Sequence, residues 1–511
     1  MEGDVQSSHG FLPWIFRRKL IAGGRGSKKG ALTIAFLFAI VALIGIIIVF
    51  QLIRRSILSG SSWQRAFSFP TSQSPVMQPK RIEYFLNCSG RQDHKSCPVN
   101  HPIKTAYRAD AGKCPEYFRW IYEDLRPWKE SGITREMVEN AKREAHFRLV
   151  VVNGKVYIDK YRPAYQTRDV FTIWGILQLL RLYPGRLPDL DLMFQCNDRP
   201  SILKSKYEGE HATPPPPLFH YCGNNSTLDI VFPDWSFWGW VEINIPPWET
   251  LKKELERGNH LIKWKDRKPY AYWKGNIFVG NPMRRDLAKC NVTDNQDWNA
   301  RIYHLSWPRE SQKGFKNTRL AKQCDYRYKI YAEGNAWSVS EKYILACDSM
   351  SLFIRPQYFD FFTRDLLPTV HYWPVNKHHL CQSLKFVVDW GNKHPEKAQR
   401  IGKAGSRYIQ EKLKMKYIYD YMFHLLNEYG KLLKYKPTVP EGITPMCLER
   451  MACRAKRVQR KFQVESMVKA PAEIGSCSLP LPYRRPELEA FLERKERLRK
   501  QVEMWEASAD I

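Results

Sequence analysis

No Cys-x-x-Cys pair occurs in this chain of 511 residues. That absence removes a common zinc-ribbon spacing. It leaves twelve cysteines, none before Cys88, for disulfides in an oxidising compartment. Cys88, Cys97 and Cys114 cluster early, and Cys222, Cys290, Cys324 and Cys347 are spread through the middle, so the pairing stays open. Acidic residues are also scarce: 52 Asp and Glu face 81 Lys and Arg, a net charge of +29. Such an excess can signal a nucleic-acid partner, but a second absence points elsewhere. Residues 31–53, ALTIAFLFAIVALIGIIIVFQLI, run for 23 positions without a charge. At about 1.5 Å per residue they can cross a hydrocarbon core of about 30 Å. The run is too long for a signal-peptide core and lacks a small-residue cleavage site, which predicts a permanent signal anchor. Internal repeats are missing as well.

Basic residues gather before the span (Arg17, Arg18, Lys19, Arg25, Lys28, Lys29), with fewer after it (Arg54, Arg55, Arg65). The bias predicts a cytosolic N-terminus and a lumenal remainder. Sequons at Asn87, Asn224, Asn225 and Asn291 agree with that side. A basic lumenal protein meets nucleotide sugars, acidic polysaccharides and lipid headgroups rather than nucleic acid.

Composition and periodicity divide the chain into a basic cytosolic tail (1–30), a transmembrane helix (31–53), a Ser/Pro/Gln-rich stem (54–80) and a globular region. In the latter, strands alternate with helices in two halves, 81–250 and 251–395, which predicts two α/β lobes. A helical stretch (396–436) and a basic tail (437–511) follow. Locally, 133–148 reads as a helix capped by Thr134, and 147–161 as a hairpin around Asn153-Gly154. Residues 169–182 read as an apolar helix and 187–200 as a buried strand running into a loop. Pro214–Pro217 read as a surface turn. Residues 394–433 read as helix with a break near Gly402 or Gly405. In 486–506, Leu488, Phe491, Leu492, Leu498, Val502 and Trp505 lie near one face, predicting an amphipathic helix that packs on the body.

Four segments carry candidate chemistry. Trp235–Trp240 (WSFWGW) sits near Asp229, Asp234 and Glu242, which fits either a tryptophan-rich core or a sugar-binding face of rings and carboxylates. CNDRP (196–200) puts Asp198 after a buried strand, where it is either a general base or an Asx-turn residue. Lys274-Gly275 end a strand, and Arg284-Arg285 open the next helix, a cation pair suited to an anion or an ordinary surface pair. In EGNAWSVSEKYILAC, Gly334 permits a turn, and Ser338-x-x-Glu341 predicts a capping box at a helix start whose amides could hold a pyrophosphate. Asp189-Leu-Asp191 resembles a metal-binding acid pair, but it lies in an apolar strand pattern and is discounted.

Together YCGNNSTLDIVFPDWSFWGW, YAYWKGN…RRDLAKC, YRYKIYAEGNAWSVSEKYILACDS and YFDFFTRDLLPTVHYWPV resemble the rumi-like protein O-glucosyltransferase family, which includes KDEL-motif glucosyltransferases and fungal capsule-associated xylosyltransferases. The similarity runs from about Lys80 to Glu506 and is nearest to the plant branch. It implies a GT-B-like two-lobed enzyme that moves glucose or xylose from UDP-glucose or UDP-xylose to a hydroxyl of a protein or polysaccharide, inverting and without a metal or cofactor. By the same resemblance Asp198 is the catalytic base. Lys274, Gly275, Arg284, Arg285, Gly334 and Ser338 bind the donor, and Asp229, Trp235 and Trp238 stand on the acceptor side. Ser340 replaces an arginine of animal members, and Ser306-Trp307 replaces an Asp-Trp pair. The chain ends SADI rather than KDEL, so anchor and stem imply a Golgi type II membrane enzyme, with the ER the other possible membrane. The competing expectation is a catalytically silent lectin-like or polysaccharide-binding membrane protein that keeps the aromatic groove.

Overall fold

The computed structural model describes residues 45–47, 49, 83–88, 97, 112–209, 213–280 and 282–509. The chain separates into two compact units, Met1–Lys80 and Arg81–Ile511. In the first, the described residues are helical. The expected cytosolic tail, membrane span and stem otherwise lie outside the described residues. Among the described residues no helix is long and apolar enough to cross a membrane.

The second unit is built on two sheets. Its strands are β1 (Phe147–Val152), β2 (Lys155–Lys160), β3 (Leu190–Phe194), β4 (Leu218–His220), β5 (Ile230–Val231), β6 (Lys268–Gly275), β7 (Ala300–His304), β8 (Tyr326–Tyr331), β9 (Met350–Ile354), β10 (Trp373–Val375) and β11 (Pro445–Met446). One sheet is mixed, in the order β11-β2-β1-β3-β4-β5, and the other has the order β10-β9-β8-β6-β7. Asn153 and Gly154, at φ 51° and 72°, make the two-residue turn of the β1–β2 hairpin, and Val152 faces Lys155 across it. β3 lies between β1 and β4 and buries all five residues. From β3 onward the first sheet is parallel, and every pairing in the second sheet is parallel. Parallel sheets are covered on both faces and bind ligands beyond the carboxyl ends of their strands. The CNDRP loop follows β3, the Lys274-Gly275 end belongs to β6, and the Gly334 turn follows β8. Topology therefore carries all three to strand ends.

Several local expectations change. Segment 133–148 is an α-helix only over Arg135–Asn140. A 3-10 turn, Ala141–Arg143, follows, and β1 then takes the Phe- and Val-rich end. Thr134 does cap it, accepting from the Met137 N–H at 3.3 Å. Pro215–Pro217 are buried rather than a surface turn, and the Pro215 carbonyl accepts from Trp128 Nε1 at 2.7 Å. The helix Pro395–Lys412 runs unbroken through both glycines and stops before Met415–Leu432. A Cβ on Gly402 would stand 2.5 Å from the Asp348 carbonyl, so the glycine lets the helix lie on backbone rather than ending it. Asp189 and Asp191 are taken up by structure. The first accepts from the Asn153 N–H at 2.8 Å, and the second pairs with Arg148 at 2.6 Å.

The tail helix Arg485–Ser508 packs on the body. Phe491 lies 6.4 Å from Trp120, Val502 is buried, and Trp505 stacks on Trp390 at 6.4 Å. At about 1.5 Å rise per residue its 24 residues reach from a helix beside the first sheet to helices covering the second. The expected disulfides are present as Cys88–Cys453, Cys97–Cys447, Cys114–Cys477, Cys290–Cys381 and Cys324–Cys347. Three of them fasten the start of the globular part to its tail. Cys196 and Cys222 are free and buried.

Candidate active site

A cavity of about 780 Å³ lies between the CNDRP loop and the carboxyl ends of β6 and β8. Asp198 stands on one wall, its side chain 32% exposed. One carboxylate oxygen pairs with Arg168 Nη1 at 2.9 Å, and the other accepts from Asn335 Nδ2 at 2.8 Å. Arg199 Nε also donates to the Asn335 carbonyl at 3.0 Å, so two consecutive loop residues clasp the Gly334 turn opposite. Among the described residues the carboxylate makes no Asx-turn bond to its own loop, because other groups hold that loop. Asp229 accepts from the Ser201 and Ile202 N–H groups at 3.0 Å each, and Gln195 Nε2 donates to Ser201 Oγ at 3.1 Å. A carboxylate has about four lone-pair sites, so Asp198 keeps capacity for a further donor.

Arg168 fixes that carboxylate. It opens the apolar helix Arg168–Leu182, 5.1 Å from the Tyr165 ring centroid and 4.5 Å from that of Trp235, and it donates to the Cys196 carbonyl at 3.0 Å. A cation in the first turn of a helix opposes the helix dipole. This one is sustained by rings and a carboxylate.

The facing wall is cationic. Lys274, at the end of β6, donates to the Asn317 carbonyl at 2.7 Å. Arg284, in the first turn of helix Met283–Lys289, donates through Nε to the Glu333 carbonyl at 2.9 Å. Its remaining nitrogens reach the Asn276 and Ala332 carbonyls and Ser338 Oγ. Burial lowers its proton affinity somewhat, and no carboxylate pairs with it among the described residues. Arg285 is exposed and off the cavity. Gly334 turns the chain after β8, and its N–H donates to the Ala336 carbonyl at 2.9 Å. The expected capping box does not form: the helix Ser340–Leu345 is preceded by Val339, and no side chain caps it. Ser338 Oγ instead bonds Ser340 Oγ at 2.8 Å, while the Ser338 N–H donates to Tyr331 Oη at 3.0 Å. Glu333, behind the turn, accepts from the Gln357 and Tyr358 N–H groups, and burial pushes its carboxyl up to about 7.

The aromatic segment divides. Trp235 lines the cavity with Trp240 and Glu242, and Trp240 Nε1 donates to Gln166 Oε1 at 2.9 Å. Phe237 and Trp238 are core residues. Trp238 lies so close to the helix Arg168–Leu182 that a Cβ on Gly175 would be 2.5 Å from its ring, and its Nε1 donates to Tyr419 Oη at 2.9 Å. Asp229 and Trp238 therefore stand behind the cavity wall rather than on it. Burial pushes the Asp229 carboxyl up to about 6. Asn87 and Asn225 are exposed, whereas the carboxamide oxygens of Asn224 and Asn291 accept from the Ser226 and Ile302 N–H groups at 2.8 Å each.

Gly280 places the β6 loop against this turn. Its φ is +95°, and an added Cβ would lie 2.4 Å from Gly334 backbone atoms. Gly280→Ala is expected to cost about 1–3 kcal/mol of stability through overpacking and φ strain. A urea midpoint shift checks it, and an unchanged midpoint would mean the loop has room to move.

Sequence reasoning missed Arg168, Asn335 and Lys329, all cavity-lining. A signal existed for the first, as a cation opening an apolar helix.

A carboxylate thus faces, across a cavity at parallel strand ends, cations with no carboxylate partner among the described residues, a layout suited to binding an anionic ligand. Residues 109–506 match glycosyl transferase family 90, and the chain belongs to that family of glycosyltransferases. It is 25% identical over 370 residues to the O-glucosyltransferase rumi of Drosophila pseudoobscura pseudoobscura, covering 68% of this chain and 87% of that protein. It is 26% identical over 360 residues to the protein O-glucosyltransferase 1 of Homo sapiens, covering 67% and 87%.

Proposed function

We propose that this glycosyltransferase moves glucose or xylose from a UDP-sugar to a hydroxyl of a protein or polysaccharide, with inversion and without a metal. The observation that carries the reading is Asp198 facing Lys274, Arg284 and the Gly334–Ser338 turn across one cavity. Inversion is a single displacement. The acceptor oxygen attacks the anomeric carbon and gives its proton to Asp198. The bond from that carbon to the phosphate oxygen breaks, and its electron pair leaves with UDP. Arg168 orients the base, while Lys274 and Arg284 stabilise the charge gathering on the phosphate. The two sheets supply the two halves of a GT-B arrangement, with Trp235 and Trp240 on the acceptor side. The relatives' names speak for glucose and for a protein acceptor, and the motif wording speaks for the plant branch. The uncharged run 31–53 and its basic flank support a type II anchor in the Golgi membrane, or in the ER.

The test is UDP release by full-length protein in detergent, with UDP-glucose or UDP-xylose, EDTA present, and folded glycoprotein domains or polysaccharides as acceptors. Release with one donor, indifferent to EDTA, is expected. Loss of activity in EDTA restored by a divalent cation would overturn the metal-free mechanism. Donor binding with no turnover on any acceptor would favour the lectin-like alternative.

A further inference from the structure

We infer that Lys329 is a donor-binding residue at the floor of the cavity, its amine held for an oxygen of the nucleoside diphosphate; this rests on the UDP-sugar reading above. Lys329 sits in β8, the middle strand of the all-parallel sheet, in register with Tyr272 of β6 and Ser351 of β9. It is 2% exposed and lines the cavity. Among the described residues its Nζ has one hydrogen-bond acceptor, Cys347 Sγ at 3.4 Å. That sulfur is bound in the Cys324–Cys347 disulfide and is a weak acceptor. No carboxylate lies within ion-pair distance of it among the described residues, whereas the equally buried Lys342 has Asp234 at 2.7 Å.

An amine buried this way costs the fold free energy unless something completes it. The ligand of the cavity can. Lys274 and Arg284 likewise direct their donors to neutral oxygens. With Lys329 they give three basic side chains lining one cavity, none of them in an ion pair with a carboxylate among the described residues. Tyr272, Leu320 and Ile344 line the cavity with Gln323, an apolar slot with an amide that suits a nucleoside. The charged groups acting on the amine are Arg267, which opposes its charge, and Asp325, which favours it. Burial outweighs both and brings it down to about 7. Near neutral pH the free protein therefore holds this amine partly deprotonated, and an arriving anionic oxygen recruits the missing proton.

The same burial gives stability a pH dependence. Below about pH 7 the amine is charged in both folded and unfolded chains, so the full penalty is present. As pH rises above that value the unfolded chain holds more protons, and stability rises. Lys329→Met should therefore raise the thermal midpoint, most below pH 7, while weakening nucleotide binding.

The experiment is calorimetric titration of full-length protein with UDP and with uridine, for the wild type and Lys329→Met. Weakening of UDP binding by about tenfold or more, with an unchanged or higher thermal midpoint, is expected. Loss confined to UDP assigns a phosphate oxygen, and loss for uridine as well assigns the base or ribose. Unchanged UDP affinity in the variant overturns the inference alone. A wild type that does not bind UDP overturns the donor reading with it. If Lys329→Met does not fold, proton uptake by the wild type decides, from titrations near pH 7.5 in buffers of different ionisation enthalpy. Uptake supports the assignment, and none overturns it.

Discussion

Asp198→Asn is expected to cut sugar transfer by about 10²–10⁴-fold, the usual contribution of a positioned general base. The substitution keeps the shape of the side chain and removes its basicity. One oxygen remains to accept from Arg168, and the Asn335 amide can turn to meet the new NH₂ group, so the clasp across the cavity survives. UDP should bind at least as well, because the lost negative charge also acted on Arg284. Paired measurements of turnover and UDP affinity separate the roles. A large loss in the first with none in the second is the signature of a base. Turnover near wild type would remove Asp198 from the chemistry, and a loss confined to UDP affinity would make it a donor-site residue.

The largest stability effect is expected at Asp234. It accepts from the Ser236 N–H at 2.8 Å and from Lys342 Nζ at 2.7 Å, with side-chain exposures of 2% and 1% for the ion pair. Asp234→Ala strands a buried ammonium 4.6 Å from the Phe237 ring and should cost about 3–5 kcal/mol. One group can soften the loss. Burial pushes the neighbouring Asp360 carboxyl up to about 7, and the Lys342 charge is the main influence holding it down. Removing both partners, Asp234→Ala with Lys342→Met, should recover much of the difference, since no charge is then left alone. Urea unfolding of the four proteins gives the cycle. A single-variant loss under 1 kcal/mol would mean that the pair is solvated in solution. The pair joins the segment at Trp235 to the helix Ser340–Leu345, so both cavity walls should loosen together.

Signals within a few residues of one another were legible in the sequence. Asn153-Gly154 fixed its hairpin through positive φ, and the apolar run at 190–194 marked a central strand. Candidate site residues at strand ends were found because alternating strands and helices force loops there. What failed to show depends on distant chain. Asn335 meets Asp198 across 137 positions. Lys329 looks like the solvent side of an alternating strand, but a parallel sheet has no solvent side, so its alternate face became the cavity floor. WSFWGW is divided between cavity wall and core. The 3-10 turn Trp235–Phe237 sends successive rings in different directions, one to the cavity and others to the core. Nor could Gly402 declare itself, since a helix breaker and a close-packing glycine are the same letter, and only Asp348 decides between them.

The three bonds from Cys88, Cys97 and Cys114 to the tail span 365, 350 and 363 residues. Synthesis imposes an order on them. At about 5–20 residues per second, the early thiols wait roughly 20–70 s for their partners to be made. During that interval Cys196 and Cys222, destined to stay free, are chemically equal competitors. Their protection is burial: once the strands around them close, desolvation pushes both thiols up, Cys196 to about 12, and a neutral thiol does not attack. Such protection before the tail is made would require β1, β3 and β4 to close around Cys196 and Cys222 ahead of the edge strand β11. Early packing of those strands would then proofread the disulfides that later lock the two ends of the chain together.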